Sequence, residues 1–156
     1  MGNCLLARKL DTYRVIYDHG DECTSITGGW TAGTSSGNAT KNNDNLYFGK
    51  GSQGVGSGWF TTNNSINLSG YNSIILKIKI STNNGEINNT GLYIKSNNTD
   101  IIDYISTQVI TNYIWLIFPI INKQSGNLQI LGRSTYQYTS FYCYLYKMIL
   151  TNVNVK

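Results

Sequence analysis

The feature that most constrains the fold is an alternation of apolar and polar side chains, which is clearest from Ser73 to Ser81 and is interrupted there only by Ile75. Every second residue in this run is a large aliphatic one, and two of the positions between them are lysines. Successive side chains of a β-strand point to opposite faces, so one face of this strand is core and the other is largely solvated. No segment of helical length shows apolar residues at i, i+3, i+4 and i+7. The sequence therefore predicts an all-β protein.

Similar alternation marks the rest of the chain. Further candidate strands cover residues 13–17, 46–48, 59–68, 91–95, 101–105, 113–121, 128–133 and 140–150. Turn-forming residues such as Asn, Gly and Ser separate them. Many short strands with regular turns predict an antiparallel two-sheet β-sandwich that is jelly-roll-like, with an immunoglobulin-like sandwich as the alternative. A chain of 156 residues fits a single domain, which we place at 13–156, with 1–12 as a linker or N-terminal extension.

Two finer expectations follow from the pattern. Both faces of Ile114–Phe118 are apolar, which predicts that this strand lies centrally between other layers and that Trp115 belongs to the core. First and last strands are neighbours in many sandwiches, so Cys23 and Cys143 either form a disulfide or are two buried thiols.

Charge and hydropathy exclude some classes of partner. Only 13% of residues are charged, and the twelve basic residues behind the net charge of +4 are scattered, so nucleic-acid binding is not expected. No apolar run approaches the ~20 residues that cross a bilayer, so membrane insertion is not expected either. Surface polarity comes mainly from amides and hydroxyls, which suit neutral, hydroxylated ligands.

Groups suited to catalysis are scarce. His19 is the single histidine and stands in a predicted turn, so no Ser-His-Asp triad is expected. A glycosidase would need two convergent carboxylates, and the candidates Glu86, Asp100 and Asp103 all lie near turns. We therefore predict a protein without enzymatic activity and without a catalytic cofactor.

One acidic cluster is a candidate metal site. Asp18, Asp21 and Glu22 follow the first strand, and with backbone carbonyls they could hold a structural calcium ion. The segment lacks EF-hand spacing, and the alternative is an ordinary polar turn.

The aromatic residues are the sequence feature that indicates a binding function. Trp and Tyr rings stack on the apolar C–H faces of sugars, while amides and guanidinium groups bond to the hydroxyls. Three tyrosines at alternate positions of the last strand are either a stacking platform or an inner core wall; the apolar residues between them favour exposed tyrosines. The predicted ligand-binding residues are Tyr136, Tyr138, Tyr142, Tyr144, Tyr146, Gln129 and Arg133, with Trp30 and Trp59 beside glycine-rich loops.

Three segments also carry a family resemblance: DECTSITGGW at 21–30, INLSGYN at 66–72 and YKMIL at 146–150. Their order resembles carbohydrate-binding-module-like domains in tail and fibre proteins of phages and prophages of Firmicutes. The resemblance spans the chain from about Ile16 onward and has no catalytic motif. It implies a virion or extracellular jelly roll that binds host cell-surface polysaccharide, and a homotrimer if the domain is part of a fibre. The alternative is a structural or oligomerisation module of a virion or cell-surface assembly.

Overall fold

The computed structural model describes residues 12–83, 89–106 and 110–155, which form two antiparallel six-stranded sheets. The first sheet contains β1 (Tyr13–Asp18), β3 (Asn38–Lys41), β4 (Leu46–Lys50), β6 (Ser73–Thr82), β10 (Ile110–Pro119) and β12 (Phe141–Thr151). The second sheet contains β2 (Trp30–Ser35), β5 (Gly56–Ile66), β7 (Gly91–Ser96), β8 (Thr99–Asp100), β9 (Ile105–Ser106) and β11 (Gly126–Ser134). The predicted all-β, two-sheet sandwich is confirmed.

The chain crosses repeatedly between the two sheets. The strand order is β10-β6-β12-β4-β3 in the first sheet, where β1 also pairs with β12, and β2-β5-β11-β7-β8 in the second, where β9 also pairs with β7. From β4 to β7, and again from β10 to β12, consecutive strands belong to opposite sheets. Strands that are adjacent in a sheet are therefore often distant in the sequence. The first and last strands, β1 and β12, pair with each other, as they do in many sandwiches.

The inner faces of the two sheets form one apolar core. The aliphatic side chains at the even-numbered positions of β6 are all fully buried, as the alternation predicts. Phe48 of the first sheet contacts Phe60 of the second edge-to-face, with ring centres 6.2 Å apart. Burial of this apolar surface, at about 25 cal/mol per Å², is the main source of stability.

A stretch rich in Gly, Ser and Thr folds in a way that sequence reasoning did not predict. It supplies the short helix α1 (Thr24–Thr27) and the strands β2 and β3. The helix ends at Thr27 and is capped by Gly28, whose backbone adopts the left-handed region (φ 70°) while its N–H donates a hydrogen bond to Thr24 O. The low apolar content of this stretch gave little local signal for these elements, although Thr27 of α1 and Trp30 of β2 are buried. The described residues include no helix that has the length and apolarity for a membrane span.

The prediction of one strand at 101–105 is wrong. The structure has two short strands, β8 and β9, on either side of Ile101 and Ile102. Both isoleucines are buried, so they contribute to the core from a bend rather than from a ladder. Apolarity predicted their burial correctly but not their backbone conformation.

The prediction that Ile114–Phe118 lies centrally is also wrong. This segment belongs to β10, which ends the first sheet and pairs only with β6 among the described strands. Its inward residues Leu116 and Phe118 pack on the core, whereas Trp115 is 53% exposed and points outward. Because the outer face of β10 also carries apolar side chains, its sequence has the same pattern as a strand that is buried on both faces.

The two described cysteines lie apart and are both free thiols. Cys143 is fully buried in the core, and burial raises the pKa of its thiol well above its usual value. Cys23 is half-buried and precedes α1. Of the two alternatives raised by the sequence, the structure therefore favours separate thiols over the disulfide.

Close packing of the backbone at Gly58 gives a test of the sandwich. A Cβ atom added there would overlap the carbonyl oxygen of Asn38, so Gly58→Ala requires a backbone shift. We expect the free energy of unfolding to fall by about 1–3 kcal/mol, measured by urea denaturation. Gly70 is exposed and has open space around its Cβ position, so Gly70→Ala should change stability by less than about 0.5 kcal/mol. Equal effects of the two substitutions would contradict this packing.

Candidate functional site

The outer face of the second sheet carries an apolar rung that crosses four strands. Gly33 of β2 pairs with Trp59 of β5, which pairs with Leu131 of β11, which pairs with Tyr93 of β7. Neighbouring strands lie about 4.8 Å apart, so the backbones of Trp59 and Tyr93 are separated by about 10 Å. We call this surface, with the polar residues described next, the Trp59 face.

Gly33 allows the indole of Trp59 to lie across the neighbouring strand. A Cβ atom added at Gly33 would overlap Nε1 of Trp59 and would lie 2.8 Å from its Cζ2. The ring therefore covers the position that any other side chain would occupy. Trp59 remains half-buried, so part of it is accessible to a ligand. A glycine opposite a tryptophan thus produces a platform that lies on the sheet.

Two polar rungs flank the apolar one. On one side Ser35 and Ser57 are followed by Arg133. On the other side the outward residues are Thr31, Thr61, Gln129 and Lys95. Both polar rungs face outward because side-chain direction alternates along each strand. The face therefore presents the indole of Trp59, with the largely buried Leu131 and Tyr93 beside it, between two rows of hydrogen-bonding groups.

Charged groups at the end of the face are held by aromatic rings and one ion pair. The guanidinium carbon of Arg133 lies 4.9 Å from the ring centre of Tyr93, and Tyr104 stacks on the same tyrosine at 5.1 Å. Lys95 Nζ lies 2.9 Å from a carboxylate oxygen of Asp100. Burial raises the pKa of Tyr93, although Arg133 opposes the change, so its hydroxyl stays a hydrogen-bond donor at neutral pH. That hydroxyl donates to Asn89 O at 2.7 Å.

The Trp59 face contains a depression of about 360 Å³. Its lining combines Trp59 and Leu131 with Arg133, Gln129, Lys95 and small polar residues. A larger depression of about 580 Å³ lies elsewhere, near α1 and the start of β1, and its lining includes one aromatic ring, that of Tyr71. The smaller depression is the candidate site, because it combines a stacking surface with several convergent polar groups.

The outer face of the first sheet is a second aromatic surface. Tyr47 of β4 contacts Tyr142 and Tyr144 of β12, with ring centres 5.4 and 5.1 Å away. We call this surface the tyrosine–lysine face; its members are Tyr47, Tyr113, Trp115, Tyr142, Tyr144, Tyr146, Lys77 and Lys79. The two faces lie on opposite sides of the sandwich.

The predicted binding residues fall in four places. Trp59, Gln129 and Arg133 come together on the Trp59 face. The tyrosines of β12 point outward on the tyrosine–lysine face, and the residues between them, Phe141, Cys143 and Leu145, are fully buried, so their predicted direction is confirmed. The exposed Tyr136 and Tyr138 contact each other in the connection between β11 and β12. The fourth place is the core, which holds Trp30.

The structure corrects the prediction that Trp30 is a ligand-binding residue beside a glycine-rich loop. Trp30 is only 1% exposed, and its indole N–H donates to Ile16 O at 3.0 Å. Its ring also contacts Tyr17 edge-to-face at 6.5 Å. The strand β2 begins at this residue, so the side chain points into the core instead of toward the glycine-rich loop. Trp30 therefore has no free surface for a ligand.

The three carboxylates of the candidate calcium site have separate partners. Asp18 contacts His19 and Lys147, at 2.7 and 3.1 Å. Asp21 Oδ1 accepts a hydrogen bond from the backbone N–H of Cys23. Within residues 12–83, 89–106 and 110–155, no group of three or more metal-ligating side chains converges. The structure thus favours the alternative, a polar turn held by ion pairs and backbone hydrogen bonds.

The carboxylate of Glu22 links three segments. It accepts hydrogen bonds from the backbone N–H of Trp30 at 2.9 Å and from Lys41 Nζ at 2.6 Å. Burial acts to raise the pKa of Glu22, but these hydrogen bonds and the lysine charge outweigh it, and the pKa falls below its usual value.

The pKa of Glu22 is lower in the folded state than in the unfolded state, so the ionised carboxylate stabilises the fold. This contribution to the free energy of unfolding is complete above the unfolded-state pKa of Glu22 and is lost as the pH falls through its folded-state pKa. We expect Glu22→Gln to reduce stability at pH 7 by less than about 1 kcal/mol, and the difference from wild type to shrink as the pH falls from 5 to 3. Urea denaturation across this pH range measures it. Asp103→Asn, at an exposed position, is the control, and a difference independent of pH would contradict this role.

Sequence reasoning missed several residues of the Trp59 face. Tyr93 and Lys95 alternate with the core residues Leu92 and Ile94 in a predicted strand, so their outward direction was available from the sequence. Their position beside Gln129 and Leu131 depends on β7 pairing with β11, which no local pattern indicates. Of the carboxylates considered for glycosidase chemistry, Asp100 pairs with Lys95, Asp103 is exposed, and Glu86 lies outside the described residues.

Known structures share this arrangement of sheets. Three of the most similar are family 29 carbohydrate-binding modules. A mutant in complex with mannohexaose has a TM-score of 0.61 and 10% identity, over 94% of this chain and 95% of that one, and a mutant in complex with cellulohexaose has a TM-score of 0.59 and 11% identity, over 94% and 95% of the two chains. A module from Piromyces equi has a TM-score of 0.56 and 13% identity, over 94% of this chain and 93% of that one. The fold resembles that of family 29 modules. This likeness confirms the jelly-roll-like prediction. The sequence matches no protein-family model and no curated protein.

Proposed function

We propose that this chain is a non-catalytic domain that binds polysaccharide through the Trp59 face. One observation carries the proposal: the half-buried indole of Trp59 and the side chain of Leu131 line a surface depression that hydrogen-bonding side chains border on two sides. Sugar rings have the complementary character, with apolar C–H faces and hydroxyls at their edges. A chain of sugars lying along the rung would stack on Trp59 and bond to Arg133 and Gln129.

The similar structures support the ligand class. Two of them are complexes with mannohexaose and cellulohexaose, which are linear chains of six neutral sugars. The Trp59 face suits such ligands, because its polar groups are mostly neutral and Lys95 is already paired with Asp100. We propose the same class, an uncharged linear polysaccharide, for this chain.

The biological setting is a further part of the proposal. The resemblance of the segments at 21–30, 66–72 and 146–150 to phage tail and fibre domains supports host cell-surface polysaccharide as the target. We propose that the domain is displayed on a virion tail or fibre, or otherwise outside the cell. Multiple copies, such as a trimer, would multiply a weak affinity per site through avidity.

The test is titration of the purified chain with mannohexaose and cellulohexaose, together with binding to cell-wall polysaccharides and intact cells of candidate Firmicutes hosts. We expect saturable binding with Kd in the millimolar to micromolar range, about −4 to −8 kcal/mol. Chromatography of the sugars after incubation should show unchanged chain lengths. Failure to bind any of these ligands would contradict the proposal, and shortened sugars would contradict its non-catalytic part.

A second candidate function is a structural or oligomerisation module, and the edge of the first sheet favours it. On β10, Ile114, Trp115 and Ile117 are each at least 40% exposed, and this strand has an unpaired edge within the described part of the chain. Exposed apolar edge strands pair readily with other chains. Sedimentation at increasing protein concentration tests this reading, which requires self-association; a monomer at every concentration would contradict it.

A further inference from the structure

Two lysines on the tyrosine–lysine face lie between aromatic rings from both neighbouring strands. Lys77 and Lys79 are outward residues of β6, and each ammonium group lies 4.7 to 5.5 Å from one ring centre of β10 and one of β12. Being two residues apart on one strand, the lysines are spaced by about 7 Å. The flanking rings are Trp115 and Tyr113 on β10 and Tyr146 and Tyr144 on β12.

Neither ammonium group pairs with a carboxylate of the residues that the structure describes. Among the described residues, the ion pairs of lysines involve Lys41, Lys95 and Lys147, and neither Lys77 nor Lys79 has a carboxylate oxygen within 4 Å. Aromatic faces attract a cation but leave its charge uncompensated. The rings therefore hold the two charges in place on the surface without neutralising them, which leaves them available to an anion.

The face also has a concave part beside one lysine. A depression of about 230 Å³ is lined by Lys79, Ser81, Thr111, Tyr142 and Tyr144. It combines a fixed positive charge, two hydroxyl side chains and two phenol rings. These are groups that bind a sugar carrying a carboxylate or a phosphate, because the ring stacks, the hydroxyls bond and the ammonium group pairs with the anion.

We propose that the tyrosine–lysine face is a second binding surface, separate from the Trp59 face, and that it takes an anionic polysaccharide. The small number of charges on this face favours an anionic polysaccharide over a nucleic acid. Nucleic-acid binding depends on neutralising many closely spaced phosphates, and this face offers two lysines that lack a carboxylate partner among the described residues. A polymer of sugars with occasional carboxylate or phosphate groups matches two fixed cations between stacking rings. A domain with one surface for neutral chains and one for charged chains could link two polymers of a cell surface.

The experiment measures binding of the full chain to polygalacturonate, alginate and a ribitol-phosphate teichoic acid, with methyl-esterified polygalacturonate as the uncharged partner of the first. We expect the wild type to bind at least one of the three polyanions and to lose affinity for it as the salt concentration rises. If polygalacturonate is the ligand, its methyl ester should bind more weakly than the free acid. Lys77→Gln combined with Lys79→Gln should weaken polyanion binding by about tenfold, because two charge contacts are removed.

Matched variants keep the test specific. Lys77→Arg with Lys79→Arg preserves both charges and should bind within about threefold of wild type. Arg14→Gln with Lys123→Gln removes the same net charge elsewhere and should also bind like wild type. An equal loss in this pair would overturn the proposal, because it would indicate general charge attraction. Circular dichroism and thermal melting confirm that each variant is folded.

Other outcomes separate this proposal from the one above. Binding of neutral hexaoses without binding of any polyanion would overturn the second surface and leave the Trp59 face in place. Binding of polyanions that depends on Lys77 and Lys79 supports the second surface even if neutral hexaoses do not bind. Tighter binding of a 20-residue oligothymidylate than of every polysaccharide would overturn it in favour of nucleic acid.

Discussion

Replacing Trp59 by alanine is expected to weaken binding of neutral hexaoses by about 30-fold or more, which corresponds to about 2 kcal/mol. The indole supplies the largest stacking surface of the Trp59 face, and it lies on the sheet rather than within the core. Stability should therefore change by less than about 1 kcal/mol. Calorimetric titration measures the affinity, and urea denaturation of the same variant measures the stability.

A second substitution tests whether binding depends on the position of the Trp59 indole as well as on its presence. Gly33→Ala keeps Trp59 but places a Cβ where the indole lies, so the ring must move and binding should weaken severalfold. Tyr13→Ala removes an aromatic ring that is 57% exposed on β1, outside both faces, and should leave the affinity unchanged. If Trp59→Ala binds like wild type, the Trp59 face is not the neutral-sugar site.

Replacing Trp30 by alanine is expected to have the largest effect on stability, a loss of about 4 kcal/mol. Truncating a buried tryptophan leaves a cavity, and here it also removes the hydrogen-bond donor that satisfies the buried carbonyl of Ile16. Small domains are stable by about 5–15 kcal/mol, so the melting temperature should fall by roughly 10 °C. Thermal and urea denaturation provide the measurement.

Trp30→Phe separates the two contributions. Phenylalanine fills much of the cavity but cannot donate to Ile16 O, so the loss should be about half that of the alanine variant. The folded fraction of either variant should bind hexaoses with wild-type affinity, because Trp30 reaches no surface. A Trp30 variant of normal stability and weakened binding would show that this residue contacts ligand after all.

The direction of side chains within a strand could be predicted from local sequence. In β6 and β12, alternation places one set of residues inward whatever the neighbours are, because the backbone geometry reverses side-chain direction at each residue. The outward tyrosines of β12 and the buried residues between them followed from this rule alone. Local pattern fails where apolar residues occupy both sides, as in β10, where Trp115 and Ile117 are exposed on the outer face.

Which outward residues meet could not be predicted, because that depends on strand order. Trp59 and Arg133 share a face only because β5 pairs with β11, and the tyrosines of β12 lie on the opposite side because β12 pairs with β6 and β4. Consecutive strands often alternate between sheets, so nearness in sequence does not imply nearness on a surface. Local alternation decides which side chains face inward, since it depends only on neighbouring peptide units. Long-range hydrogen bonding between strands decides which of the outward ones form a site.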